Sequence, residues 1–132
     1  MSLNEEERMA LTAYRIQKSH DTMEYVHGNV RLGYWPVVAN RLYYAAYYAV
    51  TALLIKDGLS AQTHHGVIHM FNLHYIKTGK LDSKYGRLYG RLFTLRQTGD
   101  YDDMYDVDEE DVAPLIVHTE ELLTILSEMV SQ

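Results

Sequence analysis

The longest apolar stretch of the chain runs from Asn40 to Lys56 and reads NRLYYAAYYAVTALLIK, with fourteen uncharged residues between its arginine and its lysine. Wound as a helix, these residues point apolar groups in every direction, and a helix that is apolar all round is buried on most sides. Fourteen residues are too few to cross a bilayer, which takes about 20. We therefore predict the central helix of a soluble bundle, beginning at Trp35-Pro36 and ending at Asp57-Gly58.

A first helix is predicted before this stretch. Apolar residues recur at three- and four-residue steps from Asn4 to His27, which indicates an amphipathic helix. Asn4 is its expected N-cap, since an asparagine side chain can accept from the free N–H groups of the first turn. Gly28-Asn29 is a stop signal, so residues 28–34 are expected to form a short connection.

Two more helices are predicted after the central one. Thr63 is the expected N-cap of a third helix, which closes at Thr78-Gly79-Lys80. A fourth helix begins near Asp82 and ends within the acidic segment, residues 100–111. The apolar positions of the third helix are Ile68, Phe71 and Tyr75, and those of the fourth are Tyr85, Leu88, Leu92 and Leu95.

The start of a fifth helix depends on Pro114. If Asp108 were the N-cap, Pro114 would lie past the first turn, where its ring clashes with the carbonyl of Glu110. A cap at Asp111 keeps the proline in the first turn and is preferred, with the helix running to about Val130. Because no strand pattern occurs, we predict an all-α, four- to five-helix, up-and-down antiparallel bundle that forms a single domain over residues 1–132.

Composition limits the cellular setting and the partners. The chain lacks cysteine and its N-terminus has no apolar signal region, so disulfides are excluded and a cytoplasmic protein without membrane contact is expected. The net charge of −6 is uneven, because residues 100–111 hold eight of the eighteen acids and no base. The remainder carries twelve bases against ten acids, so a partner with a negative backbone remains compatible with this chain.

Arg96 is the most informative single residue. It lies one turn past Leu92 within the apolar stripe of the fourth helix, where an unpaired charge would be costly. Asp100 is four residues further on and can pair with it. Two interpretations stay open: an internal ion pair that fixes packing, or an arginine held at a groove to meet an anion such as phosphate.

Other polar clusters support weaker hypotheses. Lys80, Lys84, Arg87 and Arg91 form one row on the fourth helix, which is either a solvated face or a contact surface for nucleic acid or an acidic partner. His65 and His69 are four residues apart, so both could bind one metal ion. However, no carboxylate lies on the same turns and no HExxH motif occurs. No P-loop or dinucleotide-binding motif is present either, so neither a metal site nor a cofactor is predicted.

Three segments in this order, NRLYYAAYYAVTALL, THHGVIHMFNLHYIKTGKL and LFTLRQTGDYDDMY, followed by an acid-capped last helix, resemble the HEPN domain. The resemblance covers about residues 8–130 and is greatest to bacterial stand-alone HEPN proteins. It implies a helical bundle, usually a homodimer, often paired with a small nucleotidyltransferase in a toxin–antitoxin-like system. Many members of the family are metal-independent RNA endonucleases.

The family's nuclease motif is an arginine followed, after four to six residues, by a histidine. Arg96 matches the arginine, but no histidine follows at that distance, and the chain has instead an Arg-x-x-x-Asp-Tyr version that ends in Asp100-Tyr101. Aspartate is a poor substitute, because it repels phosphate and is already ionised at neutral pH. Arg41 matches the arginine that often opens the family's YYA helix. The resemblance further implies that Arg41 and Tyr44 lie beside Arg96 in a groove.

Three hypotheses follow. In the first, the chain is a homodimeric binding subunit that engages a nucleotidyltransferase partner, RNA or a nucleotide, with Arg41, Tyr44, Lys84, Arg87 and Arg91 as binding residues. In the second, it is an endoribonuclease toxin, with Arg96, Asp100 and Tyr101 as catalytic residues. In the third, it is a structural dimer whose Arg96–Asp100 pair only specifies packing.

Overall fold

The computed structural model describes residues 3–102 and 106–132, and these form a helical bundle without strands. The five α-helices are α1 (Glu5–Leu32), α2 (Trp35–Lys56), α3 (His64–Phe71), α4 (Ser83–Tyr101) and α5 (Glu109–Val130). A π-helical segment, Asn72–Ile76, continues α3 directly. The prediction of an all-α bundle is therefore confirmed. Within the two described ranges, no helix combines the length and the apolar character that crossing a membrane requires.

Helix α2 is the centre of the bundle, and it packs against α1, α3, α4 and α5. Its alanines permit this, because a small side chain lets neighbouring backbones approach closely. The hydroxyl of Ser19 in α1 reaches the carbonyl of Ala45 at 2.7 Å within the buried contact. The fully buried positions of α2 include Leu42, Tyr43, Ala45, Ala46, Ala49, Val50 and Ala52.

Three long-range hydrogen bonds tie the far end of α2 to its neighbours. The guanidinium of Arg8 in α1 donates to the carbonyl of Ile55 at 2.9 Å, and the ammonium of Lys56 donates to the carbonyl of Met129 in α5 at 2.9 Å. The hydroxyl of Tyr75 donates to the carboxylate of Asp57 at 2.5 Å. These contacts join the start of α1 to the ends of α2 and α5, so α1 is antiparallel to α2 while α5 runs parallel to it.

The predicted end of the first helix was wrong. Helix α1 continues through Gly28 to Leu32 and ends at Gly33, which adopts the left-handed conformation with φ of 72°. A glycine inside a helix costs only about 1 kcal/mol relative to alanine, and Val30 beyond it packs against the core. Gly33 is the better stop signal, because a left-handed residue lets the following N–H groups return to the last free carbonyls.

The predicted N-cap of the fifth helix was also wrong. Asp108, not Asp111, caps α5, and the two residues form a capping box in which each carboxylate accepts from the other's backbone N–H. Val107 before the cap and Val112 after it are both buried, which is the arrangement of a hydrophobic staple. Pro114 therefore lies inside the helix. Its position is exposed, so water can satisfy the carbonyl that loses its helical partner.

The other predicted boundaries are confirmed. Thr63 caps α3 by accepting from the N–H of Gly66 at 2.9 Å, and Asp82 caps α4. The apolar stripe of α4 is buried as predicted, at Tyr85, Leu88, Leu92 and Leu95. Helix α4 ends at Tyr101, inside the acidic segment 100–111, of which residues 103–105 lie outside the described part of the chain.

Two glycines of α4 provide a matched test of its packing. A Cβ at Gly86 would lie 2.9 Å from Asn72 Oδ1 and 3.2 Å from Ile76 Cγ1, whereas a Cβ at Gly90 would meet nothing within 4 Å. We expect Gly90→Ala to stabilise the protein by about 0.5–1 kcal/mol through helix propensity. Gly86→Ala should be less stable than Gly90→Ala by about 1–2 kcal/mol, because the side chains of Asn72 and Ile76 must shift to admit the new methyl group. Urea denaturation measures both, and equal stabilisation would contradict this packing.

Candidate anion-binding site at Arg96

An open groove lies between the start of α2 and the end of α4. The two helices are antiparallel, so the first turns of α2 meet the last turn of α4, and the amide of Asn40 donates to the carboxylate of Asp100 at 2.9 Å. The groove has a volume of about 620 Å³. Its lining residues are Pro36, Val37, Asn40, Gly99, Asp100 and Tyr101.

Arg96 is paired with Asp100 beside this groove. Arg96 Nε lies 3.1 Å from Asp100 Oδ2, although the N–H is not aligned for a hydrogen bond. The Arg96 side chain is 11% exposed and that of Asp100 is 26% exposed, so the pair is largely withdrawn from water. The local ion pair expected from the four-residue spacing is therefore present, and Asn40 shares the same carboxylate oxygen.

Tyrosines surround the guanidinium of Arg96. Its Nη2 donates to the hydroxyl of Tyr44 at 3.1 Å and to that of Tyr101 at 3.3 Å. The guanidinium carbon also lies 5.9, 5.5 and 5.3 Å from the ring centroids of Tyr43, Tyr44 and Tyr101, within the range of a cation–π interaction. These contacts hold the positive charge in one orientation without neutralising it.

Arg41 extends the same network along α2. Its Nε donates to Asn40 Oδ1 at 2.9 Å, and its guanidinium lies 5.1 Å from the ring centroid of Tyr44. Five residues singled out in the sequence are thus brought together at one end of the bundle. They are Arg41, Tyr44, Arg96, Asp100 and Tyr101.

The basic row of α4 lies elsewhere. Lys84, Arg87 and Arg91 line a separate groove of about 410 Å³ between α4 and α5. Lys80, predicted as part of the same row, instead precedes α4, and its ammonium lies 5.8 Å from the ring centroid of Tyr75. Among the described residues, none of the three groove cations has a carboxylate at ion-pair distance. The groove is also lined by Tyr85, Leu88, Leu115 and His118, so its walls are basic and its floor is largely apolar.

Sequence reasoning missed one residue of the Arg96 site, His64. It is the first residue of α3, and its Nδ1 lies 2.6 Å from the hydroxyl of Tyr43. Burial, then the positive charge of Arg96 and then His65 lower the pKa of His64 below its usual value. The only sequence signal was its place directly after the predicted cap Thr63, which gave no indication that α3 would pack it near Arg96.

The neighbouring histidines do not form a metal cluster. The ring of His65 packs edge-on against Phe93, with centroids 4.9 Å apart, and His69 is exposed. Across residues 3–102 and 106–132, no three or more His, Cys, Asp or Glu side chains are grouped so that they could hold a metal ion.

Comparisons with known proteins agree with this architecture. The chain is 41% identical over 91 residues to a protein of Thermotoga maritima named "UPF0332 protein", with 69% of each chain covered. It is 29% identical over 101 residues to a protein of Methanocaldococcus jannaschii named "Putative toxin MJ0142", covering 76% of this chain and 69% of that protein. The HEPN domain family matches residues 12–129. The chain therefore belongs to the HEPN domain family.

Proposed function

We propose that the whole chain, residues 1–132, is one HEPN domain that acts in the cytoplasm as the RNA-binding component of a toxin–antitoxin-like system. The observation that carries this proposal is the Arg96 site, where a largely buried guanidinium is held beside an open groove by Asp100, Tyr44 and Tyr101. Two relatives of this chain bear the name "Putative toxin", which supports the same class of role.

A phosphate group is the ligand that this site suits best. Asp100 and the two tyrosine hydroxyls occupy Nε and Nη2 of the guanidinium, which leaves Nη1 to donate to phosphate oxygens. Arg41 adds a second positive charge to the same network, to which it is linked through Asn40 and Asp100. The exposed ring of Tyr101 at the groove is a surface on which a base can stack, and such stacking is sequence-tolerant. A nucleotide shares this chemistry with RNA, so it is the natural competitor in a binding assay.

We further propose that two copies of the chain associate through this end of the bundle. Leu32, Tyr34 and Val37 are large apolar side chains that are 64%, 55% and 44% exposed. They belong to the turn between α1 and α2 and to the adjoining groove, and apolar surface of this kind commonly marks an interface. A two-fold contact here would bring two Arg96 sites close to one another.

The basic groove between α4 and α5 is our proposed contact for a nucleotidyltransferase partner. Its apolar floor and unpaired cations suit an amphipathic, acidic segment of a protein. It is separate from the Arg96 groove, so a partner bound there could leave the RNA site open.

Metal-independent RNA cleavage is a second candidate function. The specific observation in its favour is His64, which supplies a histidine near Arg96 although none follows Arg96 in the motif. Histidine is the commonest general acid–base residue. The position of His64 therefore weakens the main sequence argument against cleavage, which was that no histidine follows Arg96 at the spacing of the nuclease motif.

Replacing Arg96 tests RNA binding. We expect Arg96→Gln to weaken binding of a fluorescein-labelled single-stranded RNA by about 10- to 100-fold, because one charge-assisted contact is lost. Arg91→Gln is the matched control, since it removes one charge from the same helix but faces the other groove. Fluorescence anisotropy gives both affinities. The variant Arg96→Lys tests whether binding requires the planar guanidinium or only a positive charge.

Thermal unfolding of these variants separates binding from packing. If Arg96→Gln lowers the melting temperature but leaves RNA affinity equal to that of Arg91→Gln, the pair is structural and the proposed binding site is wrong.

Assembly is tested by light scattering and co-purification. We expect the chain to elute as a dimer. The double variant Val37→Asp with Tyr34→Asp should shift it towards monomer, because charge is placed in the apolar contact.

We also expect the chain to co-elute with a nucleotidyltransferase-type protein encoded beside it. The double variant Arg87→Glu with Arg91→Glu should reduce this co-elution. A monomeric wild type would contradict the dimer, and separate elution at micromolar concentration would contradict the partner.

A further inference from the structure

We infer that a single-stranded RNA bound at Arg96 continues across α2 onto α1, where Arg41, Lys18 and Arg15 contact its phosphates. This inference rests on the proposed function, because the strand must first bind at Arg96. It gives α1 a direct part in binding and fixes the direction in which the strand leaves the Arg96 groove.

Arg41 belongs both to the Arg96 network and to a second cleft. It is linked to Arg96 through Asn40 and Asp100, and it also lines a cleft of about 260 Å³ between α1 and α2. The other residues lining this cleft are Tyr14, Gln17, Lys18, Asp21, Thr22 and Tyr25. The Arg96 network therefore continues, through Arg41, into a cleft on the neighbouring helix.

Tyrosine rings connect the cations along this path. The rings of Tyr44 and Tyr48, one turn apart on α2, have centroids 6.0 Å apart. The ammonium of Lys18 lies 4.9 Å from the centroid of Tyr48 and 5.7 Å from that of Tyr14. The guanidinium carbon of Arg15 lies 5.9 Å from the centroid of Tyr48. From Tyr44 to Tyr14, each ring thus has a cation within the range of a cation–π interaction.

The positive charge along this path is not neutralised by ion pairs. Among the described residues, none of Arg15, Lys18 and Arg41 has a carboxylate at ion-pair distance. Arg15 Nη1 donates to the uncharged hydroxyl of Thr51 at 3.3 Å, which positions the guanidinium without compensating its charge. Asp21 alone is acidic among the described residues that line the cleft, so the three cations outnumber it.

An unpaired strand fits this surface better than a duplex. A row of cations follows a phosphate backbone, and exposed aromatic rings stack on bases whose faces are free. Tyr14 and Tyr25, on the rim of the cleft, are 55% and 60% exposed. In a duplex the faces of the bases are covered by their neighbours, so these rings would have nothing to stack on.

The salt dependence of binding tests the path. The affinity of the full-length protein for a fluorescein-labelled single-stranded RNA is measured by anisotropy between about 50 and 200 mM salt. We expect Lys18→Gln and Arg15→Gln each to weaken binding by about 2- to 5-fold, the range of an exposed ion pair. Each should also reduce the slope of log affinity against log salt by about 0.7, because one phosphate contact is lost.

Lys77→Gln is the matched control. It removes one charge from an exposed lysine that lines neither of the two clefts nor the groove between α4 and α5. Its affinity and salt slope should equal those of the wild type.

Asp21→Asn provides a readout of opposite sign. Removing this carboxylate from the cleft should strengthen RNA binding by about 2-fold, because its repulsion of phosphate is lost. A purely structural role of the cleft would not produce a gain in affinity. Tyr14→Leu should weaken binding by about 5-fold or more through loss of base stacking.

The possible failures are distinguishable. If Arg96→Gln weakens RNA binding while Lys18→Gln and Arg15→Gln keep the wild-type affinity and salt slope, the strand does not cross onto α1, and the proposed function stands. If Lys84→Gln reduces the slope while Lys18→Gln does not, the strand follows the groove between α4 and α5, and this inference is wrong. Absence of RNA binding by wild type would overturn both proposals. Circular dichroism and thermal unfolding establish that each variant is folded.

Discussion

The burial of α2 on most of its sides is the constraint on which the rest of the structure depends. Most of its uncharged stretch is withdrawn from water, and α1, α3, α4 and α5 all pack against it. The alanines set how closely they approach, and the tyrosines fill the wider spaces. This single requirement places the end of α4 against the start of α2. Arg96 and Arg41 come from different helices and share one polar network for that reason.

The fold was largely predictable because its signals are local. The apolar spacing of α4 and the cap at Thr63 depend only on nearby residues, and both predictions were confirmed. The two errors arose where local signals competed. Gly28 is a weak helix breaker that the core contact of Val30 outweighs, and at Pro114 the combined capping box and staple around Asp108 outweighed the loss of one exposed backbone hydrogen bond.

The candidate site was predictable only in part, for a related reason. The Arg96–Asp100 pair follows from their spacing on one helix, and the basic row follows in the same way. The spacing of residues along α4 does not show that Leu115 of α5 lies beside the basic row and gives its groove an apolar floor. His64 was inaccessible from sequence, because its relation to Arg96 depends on how α3 packs against Tyr43 and Tyr44. Contacts between residues distant in the chain carry no local signature.

The start of α2 has a practical consequence. The chain contains one tryptophan, Trp35, which is the first residue of α2, packs partly against the core and adjoins the groove residue Pro36. Four tyrosines of α2 follow it within four helical turns. The indole is thus an intrinsic optical probe on the first turn of α2, which also lines the groove, and excitation of nearby phenols can reach it by energy transfer. Binding of a ligand in the groove can therefore be followed by the tryptophan fluorescence emission, without attaching a dye to the protein.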